Sequence, residues 1–83
     1  MKLLYFAHIR TRLDLAEETV TLPDTVANVA ELLDWLASRG PRFAAVLENR
    51  KGIRVAVNQD FATPETPISD RDEVAVFPPV TGG

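Results

Sequence analysis

Two consecutive prolines directly after a short apolar run constrain this chain more than any other feature. Residues 74–77 are Val, Ala, Val and Phe, a pattern typical of a strand buried against a core. Pro78 and Pro79 cannot donate hydrogen bonds to a sheet, and both hold φ near the polyproline value. We therefore expect the last strand to end at Phe77 and the chain to leave the sheet as a stiff arm.

The residues after the prolines become small and flexible towards the end, because Val80 and Thr81 are followed by Gly82 and Gly83. Residues without side chains can pass through a narrow channel. A terminal glycine pair can also be a frayed end, but the order of sheet, stiff arm and glycines favours a functional role. Residues 78–83 could reach roughly 20 Å beyond the sheet. We predict an extended, flexible C-terminal tail whose reacting group is the carboxylate of Gly83.

A carboxylate is a poor electrophile, so chemistry at Gly83 needs activation, and we expect an acyl-adenylate made by a separate enzyme that uses ATP. Gly40 and Gly52 stand alone and form no phosphate-binding loop, so we predict that this chain binds no cofactor itself. Attack by a sulfur donor would leave a thiocarboxylate, which is a sulfur nucleophile. Attack by a lysine would instead give protein conjugation, and the residues alone leave both open.

The rest of the chain predicts one domain over residues 1–83, since this length allows a single small core. Residues 3–9 are apolar on both faces, which indicates a middle strand. Residues 10–16 are expected to form a loop. Polar and apolar residues alternate over residues 17–22, which predicts a second strand with one exposed face.

A capping box of Asn28 and Glu31 predicts the main helix, which Gly40 and Pro41 end. Its predicted buried stripe is Val29, Leu32, Leu33 and Leu36. A second short helix is expected at 42–48, a third strand at 52–59, and an irregular segment or weak edge strand at 61–67. This order predicts an α+β fold in which one main helix packs on a mixed sheet of four to five strands.

Composition excludes several classes of function. The net charge of −3 and the lack of clustered cations argue against nucleic acid. The chain has no cysteine and one histidine, His8, for which we expect a structural or surface role, so no metal site is predicted. Glu17 and Glu18 are interpreted as a solvated hairpin, and Asp70, Asp72 and Glu73 as a solvated turn. No apolar run suits a membrane span or signal sequence, so we expect a cytoplasmic protein.

Several short motifs resemble one known family along essentially the whole chain. They are Tyr5-Phe6-Ala7, Val57-Asn58-Gln59, Asp72-Glu73-Val74 and the tail Phe77-Pro78-Pro79-Val80-Thr81-Gly82-Gly83. The chain resembles the small, sulfur-carrying subunit of molybdopterin synthase, which is a ubiquitin-like β-grasp protein. The glycine pair is common to ubiquitin-like carriers and modifiers, whereas the longer tail motif points to the molybdopterin branch. Arg71 departs from the glycine that many relatives carry there.

The resemblance implies a β-grasp fold with the first and last strands parallel and central. It also implies that a ubiquitin-activating-like adenylyltransferase adenylates Gly83 and that a sulfur donor converts it to a thiocarboxylate. That sulfur would pass to a cyclic pterin precursor in molybdenum cofactor biosynthesis. The large subunit, expected in a heterotetramer with this chain, would bind the pterin and supply basic residues. The chain would then be half of a two-component sulfurtransferase and not catalytic alone.

The tail residues are the expected partner-binding residues, and three phenylalanines are candidates for an exposed patch. The motif favours Phe77 for this patch, while Phe6 and Phe61 could belong to either the interface or the core. The expected tail contacts are Phe77, Pro78, Pro79, Val80, Thr81 and Gly82. Three alternatives stay open: a ubiquitin-like modifier that forms isopeptide bonds, a sulfur carrier for thiamine or another metabolite, and an interaction module with an inert tail.

Overall fold

The computed structural model describes residues 1–79 and contains five strands, three α-helices and one 3-10 turn. The predictions for Val80, Thr81, Gly82 and Gly83 lie outside the described residues. In chain order the elements are β1 (Lys2–Tyr5), α1 (Ala7–Leu13), β2 (Glu17–Thr19), α2 (Val29–Ala37), α3 (Pro41–Leu47), the 3-10 turn (Arg50–Gly52), β3 (Arg54–Val57), β4 (Asp60–Phe61) and β5 (Glu73–Phe77).

The strands form one mixed sheet in the order β2-β1-β5-β3-β4. β1 and β5 are parallel, with Lys2 opposite Glu73 and Tyr5 opposite Val76, and the other neighbouring pairs are antiparallel. β5 is the middle strand and β1 lies between β2 and β5, so the prediction of parallel, interior first and last strands is confirmed. The α+β fold class is confirmed with them.

The main helix α2 begins where the capping box predicts. The Asn28 side-chain oxygen accepts a hydrogen bond from the Glu31 N–H at 2.9 Å, and the Glu31 carboxylate accepts one from the Ala27 N–H at 2.9 Å. These bonds satisfy N–H groups that have no partner within the helix. The predicted stripe of Val29, Leu32, Leu33 and Leu36 is buried. Pro41 opens α3 as well as following α2, since proline suits the first helical position.

The core fills the space between the helices and one face of the sheet. In the sheet, Leu3 and Tyr5 of β1 and Val74 and Val76 of β5 are almost completely buried. They pack in one cluster with apolar residues of all three helices. Burial of both central strands on this face explains why their sequences are rich in apolar residues.

Two predictions near the N-terminus are partly wrong. The strand predicted over residues 3–9 ends early, and the loop predicted over residues 10–16 begins as a helix. β1 ends at Tyr5, and residues 7–13 form α1. Ala7 has a φ of 53°, which turns the chain sharply out of the strand. Ile9 and Leu13, four residues apart, are the buried side of α1. A short apolar run fits a strand or a helix equally well, and only packing against the core decides between them.

The predicted third strand over residues 52–59 is shorter in the structure, because a 3-10 turn precedes it and a tight turn follows it. Asn58 and Gln59 have φ values of 51° and 73° and join β3 directly to β4. Two left-handed residues in a two-residue hairpin match a type I′ turn. Arg71 is not among the described residues with positive φ, so its turn needs no glycine.

Candidate partner-binding face and tail base

The side of the sheet opposite the core carries a set of partly exposed apolar residues. Alternation along each strand places buried residues towards the helices and their neighbours on the other side. We call this second side the outer face, and its apolar residues are Leu4, Phe6, Ala56, Phe61, Ala75 and Phe77.

Phe61 and Phe77 form an aromatic pair on the outer face. Their ring centroids are 6.1 Å apart and the rings are tilted by 49°. Phe61 is 83% exposed and Phe77 is half-buried. Ala56 lies opposite both Phe61 and Ala75 in the sheet, so small side chains form the floor beside the rings. Large exposed aromatic groups over a flat apolar floor are typical of protein interfaces.

Phe6 lies on the other side of β5 from Phe61. Its backbone N–H donates to the Val76 carbonyl at 3.1 Å, which continues the β1–β5 ladder and makes it a neighbour of Phe77 in the sheet. Phe6 is 46% exposed and is also the first residue before α1. The sequence left open whether Phe6 and Phe61 are core residues. In the structure both belong to the surface and lie on either side of Phe77.

The base of the tail is continuous with this face. β5 ends at Phe77, as predicted, and its last ladder partner is Arg54 of β3. Pro78 and Pro79 follow directly and are half-buried. The strand that carries the central aromatic residue therefore also carries the tail, so a partner bound to the outer face lies beside the point where the tail begins.

The sequence suggested that Glu18 belongs to a solvated hairpin, but in the structure its carboxylate is mostly buried and paired. Its Oε2 atom accepts hydrogen bonds from the Tyr5 hydroxyl at 2.7 Å and from Arg39 Nη1 at 2.8 Å. The Arg39 guanidinium lies over the rings of Trp35 and Phe43. We call these five residues the clasp. It links β1, β2, α2 and the start of α3, and nothing in the local sequence marks it, because Glu18 and Arg39 are far apart in the chain.

The clasp shifts the protonation of its own members. Burial raises the pKa of Tyr5, and the hydrogen bond to Glu18 raises it further. Burial by itself would raise the pKa of Glu18, but the hydrogen bonds from Arg39 and Tyr5 outweigh it and lower that pKa. The bond to Glu18 raises the pKa of Arg39. The raised pKa of Tyr5 keeps its hydroxyl a neutral donor to the Glu18–Arg39 ion pair, and these contacts join β1, β2 and the helices.

The acidic turn before β5 is held by its own hydrogen bonds. Asp72 accepts from the Asn58 side chain at 2.9 Å and from the Ser69 N–H at 2.8 Å, and these bonds, the first above all, lower its pKa. Asp70 accepts from the Leu22 N–H at 2.8 Å. Within residues 1–79, no three metal-binding side chains come together. His8 is exposed on α1.

No helix in the described part of the chain has the length and apolar character needed to cross a bilayer.

Curated relatives match the chain along its whole length. It is 39% identical over 85 residues to the "Molybdopterin synthase sulfur carrier subunit" of Escherichia coli, covering 100% of this chain and 99% of that protein. It is 36% identical over 83 residues to the protein of the same name from Haemophilus influenzae, again covering 100% and 99%.

Solved structures share the fold. The crystal structure of SAMP1 from Haloferax volcanii superposes with a TM-score of 0.75 at 29% identity, covering 100% of this chain and 98% of that one. A putative molybdopterin converting factor, subunit 1, from Pyrococcus furiosus gives a TM-score of 0.70 at 26% identity, covering 95% of each chain. The ThiS family model matches residues 3–83. This range includes all five strands except Lys2, the first residue of β1. The chain is therefore a member of the ThiS family.

Proposed function

We propose that this chain is the sulfur carrier subunit of a molybdopterin synthase. The observation that carries the proposal is the continuity of the exposed aromatic outer face with the base of the tail, both of which belong to β5. A partner bound over Phe61 and Phe77 is then positioned to receive the tail. The curated relatives with the same full-length match carry the name of this subunit.

The proposed reaction uses the Gly83 carboxylate. A separate ubiquitin-activating-like enzyme joins it to AMP from ATP and releases pyrophosphate, which turns a poor electrophile into a mixed anhydride. A sulfide-level donor then attacks the carbonyl carbon and AMP leaves, so that a thiocarboxylate remains. This sulfur is a nucleophile at neutral pH and forms a bond to a carbon of a cyclic pterin precursor. Water then hydrolyses the acyl–sulfur bond, which leaves the sulfur on the pterin and regenerates the Gly83 carboxylate.

We propose that the large subunit binds the pterin and supplies the catalytic side chains. The carboxylates of Glu18, Asp70 and Asp72 support this division of labour, since each is engaged in hydrogen bonds that hold the fold. The chain would act as one component of a cytoplasmic two-component sulfurtransferase, assembled as a heterotetramer. ATP would be consumed by the activating enzyme and not bound here.

The test is conversion of the intact protein by its activating enzyme, ATP and a sulfide source, followed by whole-protein mass spectrometry. We expect a species in which sulfur replaces one oxygen. Deleting Gly83, or adding one residue after it, moves the carboxylate by about 3.5 Å. Misplacement on this scale can cost on the order of a hundredfold in rate, so both variants should stay unmodified. Full pterin sulfuration by a variant without Gly82 and Gly83 would refute the proposal.

A second candidate is a ubiquitin-like protein modifier. The observation in its favour is the structural likeness to H. volcanii small archaeal modifier protein 1, with a TM-score of 0.74 at 27% identity. The same incubation separates the two functions. Lysine-linked conjugates without any sulfur adduct would favour the modifier.

A further inference from the structure

Three cations lie together where the chain enters β3, and we call Arg50, Lys51 and Arg54 the basic segment. Arg54 is the ladder partner of Phe77, so it lies on the outer face directly beside the aromatic pair and the base of the tail. Lys51 and Arg54 are exposed. Arg54 thus extends the surface to which the partner is proposed to bind, and Lys51 adds an exposed cation three residues before it, whereas Arg50 is turned towards Asp34 of α2.

The charges of this segment are only partly neutralised within the chain. Arg50 Nη2 donates to Asp34 at 2.8 Å. Arg54 Nη1 donates to the carbonyl oxygens of Ile53 at 2.9 Å and Lys51 at 3.3 Å, which holds the guanidinium at the start of β3. Over residues 1–79 the ion pairs involve only Lys2, Arg39, Arg50 and the N-terminal ammonium. Lys51 and Arg54 therefore have no carboxylate partner in the described part of the chain.

The opposite end of the sheet carries a group of carboxylates, part of whose charge is offset by Lys2 opposite Glu73 and by the N-terminal ammonium 3.8 Å from Asp70. β4 begins at Asp60, and Asp70, Asp72 and Glu73 lie in or beside the turn that starts β5. Carboxylates are therefore concentrated where β5 begins, and cations without a carboxylate partner in the described residues lie near the point where the tail leaves. A field of this kind orients a molecule as it approaches a partner of complementary charge.

We propose that the protein that covers the outer face presents aspartate or glutamate side chains opposite Arg54 and Lys51, and that this pairing selects the partner. The physical reason is desolvation. A partner that buries Phe77 also removes water from Arg54, and a buried charge without a counter-charge is costly. Carboxylates opposite the segment remove that cost and also speed the encounter. The inference depends on the proposed function, because it identifies the chemistry of that same partner surface.

Nucleic acid is the other polyanion that a basic segment could attract. The acidic end of the sheet and the net charge of −3 oppose it, since phosphate binding needs positive charge over a wider surface. A carboxylate surface on a protein needs only two or three cations at the edge of an apolar contact, which is what this face offers.

The experiment measures association of the full-length chain with its cognate large subunit at low and at high salt. Arg54→Glu and Lys51→Glu reverse charges in the segment, and Arg71→Glu makes the same change at the acidic end as a matched control. At low salt we expect the two segment variants to associate about tenfold more slowly or worse. High salt should reduce the difference in association rate between these variants and the wild type, because the Debye length falls well below 10 Å. Arg54→Lys should keep most of the wild-type rate, and Arg71→Glu should match or exceed it.

Equal slowing by Arg54→Glu and Arg71→Glu, or rates that do not change with salt, would overturn the inference. Retention of a single-stranded DNA oligonucleotide by the wild type, lost in Arg54→Glu but kept in Arg71→Glu, would overturn it in favour of nucleic acid. If Phe77→Ala weakens large-subunit binding while Arg54→Glu does not, the proposed function survives and this inference fails. If the wild type neither binds the large subunit nor gains sulfur, both fail together.

Discussion

Phe77 is the single residue whose position best links the surface of this protein to its tail. It is half-buried by Phe61 on one side and followed directly by the two prolines on the other. Truncating an aromatic anchor near the centre of an interface commonly costs about 2 kcal/mol or more of binding free energy. We expect Phe77→Ala to weaken binding of the large subunit by that amount in isothermal calorimetry.

The matched control for Phe77→Ala is Trp35→Ala. Trp35 is also a half-buried aromatic residue, but it lies on α2, on the helix side of the sheet. We expect this variant to lose stability through the clasp and to keep its affinity for the large subunit. Unchanged affinity of a folded Phe77→Ala variant, checked by thermal unfolding, would remove Phe77 from the interface.

Among the elements, the β3–β4 hairpin has one turn residue, Gln59, that does not suit its conformation, whereas Asn58 does. Gln59 has a φ of 73°, a region in which a residue with a β-carbon is strained and glycine is not. We expect Gln59→Gly to raise the free energy of unfolding by about 0.5–1 kcal/mol, measured by urea denaturation. Gln59→Ala keeps the β-carbon and should show no such gain. A loss of stability in Gln59→Gly would mean that the Gln59 side chain stabilises the turn.

For the whole molecule, the clasp joins the edge of the sheet to the helix layer and should make stability depend on pH. The pKa of Glu18 is lowered in the folded protein, mainly because bonds from Arg39 and Tyr5 outweigh its burial. Such a group stabilises the fold above the ordinary glutamate pKa of about 4.3, and the contribution is lost as the pH falls through the lowered folded value.

Replacing Arg39 with methionine tests this contribution while keeping an apolar stem over Trp35 and Phe43. We expect the variant to lose about 1–2 kcal/mol of unfolding free energy at pH 7. This is at the low end for a hydrogen bond to a charged group, because the ion pair is partly exposed to solvent. Below about pH 4 the difference from wild type should shrink, because Glu18 becomes protonated in both proteins. A difference that stays constant from pH 7 to pH 3 would show that Arg39 acts through packing alone. Lys2→Met, which removes a cation from a more exposed ion pair, should cost much less.

The sequence by itself determined the elements whose causes are local. The capping box of Asn28 and Glu31 defined the start of α2, its apolar spacing defined the buried stripe, and Pro78 fixed the end of β5. The tail motif identified the family, because it is a short contiguous pattern. It also indicated Phe77 as the interface aromatic, which stays a prediction.

Tertiary structure alone decided the features that depend on residues far apart in the chain. Residues 7–13 became a helix because Ile9 and Leu13 both reach the core, although the local apolar run fits a strand equally well. Phe6 and Phe61 were shown to be surface residues only when strand order placed them on the outer face, on either side of β5. Glu18 meets Arg39, and Arg54 meets Phe77, through the packing of separate elements. Periodicity and composition describe neighbours along the chain, whereas these contacts are set by which face of the sheet the core covers.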